Sequence, residues 1–139
     1  MNPELIDLRM PEPCVGAVLF WNGSLLLVKR GQEPDIGRWS LPGGRLEPRE
    51  AWQDGVEREV QEETGLKVNC REFLGWVERS VSDHRYLIAD FFVVTDDPSG
   101  GVAGDDAEDL TFADSEQIQK LELTVGLKEF LFQHRVLTP

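Results

Sequence analysis

The chain has 139 residues, 40% of them apolar, and carries 26 acidic against 14 basic residues for a formal net charge of −12. That length suits one domain with an ordinary core and leaves no room for a second. So acidic a surface excludes a nucleic-acid backbone or an anionic membrane as partner, yet it admits a phosphate-bearing ligand if a divalent cation lies between.

Residues 1–12, with Pro3, Pro11, Glu4, Asp7 and Glu12, read as an N-terminal arm anchored by Leu5, Ile6 and Leu8. The N-terminus has no basic-then-apolar stretch and no apolar run nears membrane-spanning length, so a cytoplasmic setting is expected. The runs 14–20 (CVGAVLF) and 24–29 (SLLLVK) predict buried strands, and Asn22-Gly23 between them predicts a hairpin. Residues 31–38 read as a loop, Trp39-Ser40-Leu41 as a short strand, and Pro42-Gly43-Gly44 as a break in regular structure. A helix is predicted over 50–64, with Trp52, Val56 and Val60 on one side and Gly65 as its stop. Strands follow over 66–79 and 84–95.

The stretch 96–109 holds six acids and no base and reads as a loop. Thr111-Phe112 predicts a short strand, and 114–120 a helix capped by Asp114 or Ser115. Residues 124–136 predict an amphipathic helix carrying Leu127, Phe130, Leu131 and Phe132. Cys14 and Cys70 are too far apart for a CxxC motif and read as small buried thiols. Strands, a helix, more strands, then helices predict the α/β (α+β) class, a mixed sheet flanked by helices.

The chemistry concentrates on the first helix. Glu59, Glu62 and Glu63 are related by steps of three and four, so they share a helix face. Like charges so placed repel, and a hard cation with oxygen ligands would relieve them. Arg58, four residues before Glu62, is placed to pair with it. Alone, such a run reads more readily as a solvated face. The upstream Pro42-Gly43-Gly44 shifts the balance, because glycines let a backbone approach a ligand closely.

Gly44, five residues, Glu50, seven residues, then Arg58-Glu59-Val60-Gln61-Glu62-Glu63-Thr64-Gly65-Leu66 resembles a complete Nudix box over 44–66. The resemblance implies that family's α/β/α sandwich over 13–139, with a catalytic loop–helix–loop. It implies hydrolysis of a nucleoside diphosphate derivative with Mg²⁺ or Mn²⁺. Carried over, Gly43, Glu59, Glu62 and Glu63 would hold the metal, Arg58 would orient the glutamates, and Glu59 is the first choice as base. Glu50 would take part from further out. Asp106 is the favoured additional ligand from the acidic loop, where Asp105, Glu108 and Asp109 are other candidates. The segments 31–33, 37–44 and 104–107 are similar to a bacterial subgroup labelled ADP-ribose pyrophosphatase, which makes ADP-ribose the expected substrate. Substrate contacts fall to Gly44, Arg30, Trp39 and Glu50. Trp21, Trp76 and Tyr86 are further stacking candidates, and Arg79 and Arg85 further phosphate candidates. Two alternatives stay open: a house-cleaning nucleoside triphosphate pyrophosphatase of the 8-oxo-dGTP type, and a nucleotide-sensing domain without catalysis. The family's frequent dimers leave a homodimer open.

Overall fold

The computed structural model describes residues 10–104 and 106–137. Most of the expected arm, with Leu5, Ile6 and Leu8, lies outside them, as does Asp105. In chain order the elements are β1 (Glu12–Val18), β2 (Phe20–Trp21), β3 (Ser24–Arg30), β4 (Trp39–Ser40), β5 (Gly43–Arg45) and α1 (Trp52–Thr64). Then come β6 (Asn69–Val81), β7 (His84–Val94), β8 (Ala107–Ala113), α2 (Ser115–Lys120) and α3 (Leu127–Gln133).

These strands build two sheets. The first has the order β5-β1-β7-β6 and is mixed, because β1 and β7 run parallel while the outer pairs are antiparallel. The second centres on β3, which pairs with β8 along its length and with β2 and β4 near its two ends. Both central strands are buried on both faces, which is why they read as apolar runs and not as alternation. Val15, Ala17 and Leu26 join Val56 and Val60 of α1 in one core. Val18, Leu25 and Leu27 turn the other way, toward Ile118 of α2 and Phe130 and Leu131 of α3. Val56 and Val60 are fully buried. Each contributes roughly 1.5–3 kcal/mol by leaving water, and together they fix which face of α1 is left outside.

Four expectations are corrected. The run 14–20 does not form one arm of a hairpin: it ends in the first sheet at Val18, and only Phe20–Trp21 pairs with β3. The turn itself is as expected, with Asn22 and Gly23 both at positive φ (51° and 80°), the backbone a two-residue hairpin needs. Gly43 and Gly44 are not a break but part of β5, paired with Gly16 and Val15 of β1. The acidic stretch ends earlier than its composition suggests, since Ala107–Asp109 already belongs to β8. The last helix starts at Leu127 and not at 124, because Thr124 N–H donates to Trp39 O at 2.9 Å and Gly126 is left-handed. At α1, Gly65 closes the helix at φ 75° with its N–H on Gln61 O. Asp114 caps α2 through a reciprocal capping box with Gln117.

Candidate active site

Strand β5 lies directly beneath α1, and glycine is what lets them meet. A Cβ on Gly44 would overlap the Glu59 carboxylate, and one on Gly43 would overlap Val15 O. Gly43 N–H points at Glu63 Oε2 at 3.4 Å. Arg58 organises the acids around it. Its Nε and Nη2 meet the two oxygens of Glu50 at 2.7 and 2.8 Å. Its Nη1 reaches Glu59 at 2.9 Å and Glu62 at 3.0 Å, and Nη2 also donates to Arg45 O at 3.0 Å. The Arg58 guanidinium holds the Glu50 carboxyl down at about 2.

The acidic loop reaches the same place by backbone. Val102 N–H donates to Thr64 O and Gly104 N–H to Glu63 O, both at 2.8 Å, so the loop satisfies carbonyls that the end of α1 leaves open. A Cβ on Gly104 would run into Glu62 O. Asp106 O in turn accepts from Gly31 N–H at 3.0 Å. Asp106 thereby comes to bear on Glu63. Burial pushes the Glu63 carboxyl up to about 7; repulsion from Glu59 and Asp106 adds to this, and the Gly43 N–H and Arg30 oppose it. Glu59 is also raised, chiefly by burial.

Gly43, Gly44, Glu59, Glu62, Glu63, Asp106 and Arg30 all line one cavity of about 620 Å³, and Arg79 and Tyr86 line it as well. Arg30 donates from Nε to Pro34 O at 2.6 Å, and Arg79 is paired with Asp35. Burial and the nearby Arg30 lower the pKa of Arg79, so two guanidiniums crowd one wall. Two of the expected substrate contacts lie elsewhere. Glu50 is spent on Arg58 and on the Glu47 N–H, and Trp39 packs into the second core. Trp76, half exposed on β6, stacks edge-on with Trp52 away from the cavity. Sequence reasoning passed over Asp90, a buried acid that lines the cavity from β7. Its one signal is a lone charge inside the apolar run 87–94.

The donor set fits a hard divalent cation: oxygen ligands only, gathered at a cost in repulsion that a positive charge would offset. Among the described residues no three acids close around a single point. The reason is Arg58, which draws Glu59 and Glu62 toward itself while Glu63 faces Gly43.

The profile of the NUDIX domain family matches residues 10–134. The chain is 33% identical over 112 residues to an ADP-ribose pyrophosphatase of Methanocaldococcus jannaschii, covering 80% of this chain and 66% of that protein. It is 31% identical over 83 residues to a CTP pyrophosphohydrolase of Escherichia coli, covering 55% of this chain and 62% of the relative. It therefore spans less than two thirds of the length of these curated relatives. Among solved structures, a MutT protein of Methanosarcina mazei superposes with a TM-score of 0.78 at 26% identity, over 92% of this chain and 96% of the other. No helix of the described residues is long and apolar enough to cross a membrane.

Proposed function

The chain belongs to the NUDIX domain family, and on that premise we propose that it hydrolyses the diphosphate linkage of a nucleoside diphosphate derivative, with ADP-ribose as the favoured substrate. The observation that carries the reading is the shared cavity: four acids, Glu59, Glu62, Glu63 and Asp106, face the same space as Arg30 and Arg79. Acids alone would repel a diphosphate and arginines alone would only bind it. Glu59, Glu62, Glu63, Asp106 and the Gly43 carbonyl are the proposed holders of Mg²⁺ or Mn²⁺. When bound, the cation supplies charge neutralisation at the phosphate oxygens and makes water more acidic. The rest falls to the chain. Arg58 keeps Glu59 and Glu62 in place. Arg30 and Arg79 face the phosphate oxygens. Glu59 takes the proton of the attacking water as the new P–O bond forms in line with the bridging P–O bond that breaks.

Calorimetry with Mg²⁺ or Mn²⁺ tests the metal site, and product analysis tests the reaction. AMP plus ribose phosphate from ADP-ribose is the expected outcome. A nucleoside monophosphate plus pyrophosphate, formed from triphosphates in preference, would instead favour the second reading, to which the similarity to a CTP pyrophosphohydrolase lends support. No metal binding at millimolar concentration would overturn both and leave a binding domain without catalysis.

A further inference from the structure

Gly43, Gly16, Asp90 and Gly75 stand opposite one another across β5, β1, β7 and β6. Three of these four positions lack a side chain, so the row is a trench with Asp90 as its only projecting group. Gly16 sets the direction of that group. A Cβ there would overlap Asp90 Oδ1, so the carboxyl leans over β1. The trench is closed at Gly75 by the ring of His134, whose Cε1 lies 2.6 Å from where a Cβ would stand.

Asp90 is 4% exposed and lines the cavity. Among the described residues it has no hydrogen-bond or ion-pair partner, and burial is the whole cause of the upward push on its carboxyl, to about 7. Among the described residues no fully enclosed side-chain oxygen lacks a partner, so the Asp90 oxygens open onto the cavity, where a ligand can pair with them. Beside it lie the His134 ring over Gly75 and two apolar side chains, Ile88 on the same face of β7 and Val77 paired with Ile88 from β6, with Leu41 and Phe130 elsewhere in the lining. Flat walls of this kind, with an imidazole at one end and a single carboxyl, suit the face and edge of an aromatic ring. A sugar would bring hydroxyls on several sides that these walls cannot pair. By its backbone Asp90 is two strands from Gly43, about 10 Å at an interstrand spacing of about 4.8 Å, and its carboxyl leans back over β1 toward the glutamate end of the cavity. A nucleotide with its diphosphate at the glutamates and its base laid across this row would bring the base edge past that carboxyl.

We propose that Asp90 selects the nucleobase of the substrate, accepting hydrogen bonds from an exocyclic amino group, so that amino bases are bound in preference to their oxo counterparts. The inference rests on the diphosphate-hydrolase reading above for where the phosphates lie. A site built around a hydrogen bond rejects an analogue that lacks the donor, because the buried acceptor is then left unpaired.

The test uses nucleoside monophosphates, which need no hydrolysis to be read. Calorimetry with the pairs CMP and UMP, and AMP and IMP, is expected to show the amino member of at least one pair bound about tenfold or more tightly, about 1.4 kcal/mol. Asp90→Asn and Asp90→Leu are expected to reduce that preference to within about twofold, while melting at or above the temperature of the unaltered protein because no internal bond is lost. Equal or undetectable binding of both members by the unaltered protein overturns the proposal, and so does a preference that survives in both variants. A melting temperature several degrees lower in both variants also overturns it, since the carboxyl would then have a partner within the fold. If the amino preference holds but no diphosphate is cleaved, the base-selecting role stands and the proposed reaction falls.

Discussion

Replacing Arg58 with Gln is expected to cost about 3 kcal/mol of folding stability and most of the activity. The magnitude follows from what the guanidinium holds. The pairing with Glu62 is partly exposed, at 43% for the glutamate side chain, and contributes roughly 0–1 kcal/mol. The two bonds to Glu50 are different, because that side chain is only 12% exposed and both of its oxygens are engaged. Bonds to charged groups contribute roughly 1.5–3 kcal/mol each, less than additively, and the Glu50 carboxylate would be left short of partners. With solvent at the rim screening part of this, about 2–4 kcal/mol remains, or roughly a 10 °C drop in Tm for a domain of this size. Urea denaturation of Arg58→Gln, Glu50→Gln and the double variant isolates the pair. A coupling energy above about 1.5 kcal/mol is expected, and one below about 0.5 kcal/mol would refute the reasoning. The pH dependence gives a second check. Arg58 pulls the folded-state pKa of Glu50 from the ordinary 4.5 to about 2. The stabilisation is therefore fully present above about 4.5 and is lost as the pH falls toward about 2. The gap between the unaltered protein and Glu50→Gln should close across that window.

Glu63→Gln should cut turnover by orders of magnitude and leave the fold intact; turnover near normal would remove the helix from the proposed metal site. Glu63 also titrates with the opposite sign. Its folded pKa of about 7 lies above the ordinary 4.5, so the stability it contributes is complete below 4.5 and is lost as the pH rises through 7. Without metal, Glu63→Gln should match the unaltered protein at pH 4 and exceed it at pH 8 by up to about 3 kcal/mol in denaturant melts. Gly104→Ala places a methyl group against Glu62 O and should cost about 1–3 kcal/mol, with faster amide exchange at Val102 as the acidic loop lifts from α1. Asp114→Ala removes one half of the α2 capping box and should cost about 1 kcal/mol in the same melts, with little effect on turnover.

What the sequence made legible was whatever depends on local spacing. Glu59, Glu62, Glu63 and Arg58 lie within one helical stretch, so their common face follows from periodicity alone. Asn22-Gly23, Gly65 and Asp114 act on the turn they belong to, and each is found where its chemistry places it. The partners brought in from a distance were harder to read. Gly43 and Gly44 have no β propensity, and they form a strand only because β1 lies alongside. Glu50 read as an outer participant at the metal site and as a substrate contact, yet both of its oxygens are taken up by Arg58 and the Glu47 N–H, a pairing across eight residues that spacing alone does not reveal. Asp90 was illegible because its meaning depends on Gly16, which its own neighbourhood in the chain does not contain.

The parallel pairing of β1 with β7 sets an order of assembly. Cys14 faces Ile88 and Gly16 faces Asp90, so the middle of the first sheet joins stretches more than half the chain apart. Contacts of such separation pay their loop-closure entropy before they return any stability, and they form late. On the ribosome the whole glutamate helix emerges before the strand that completes the cavity. For that interval α1 carries its crowd of carboxylates with Val56 and Val60 still lacking the cover of Ala89, Phe91 and Val93, and the edge of β1 that β7 will take is open to pairing with other chains. The bond that makes the pocket is also the one during whose delay the nascent chain is most open to misassociation.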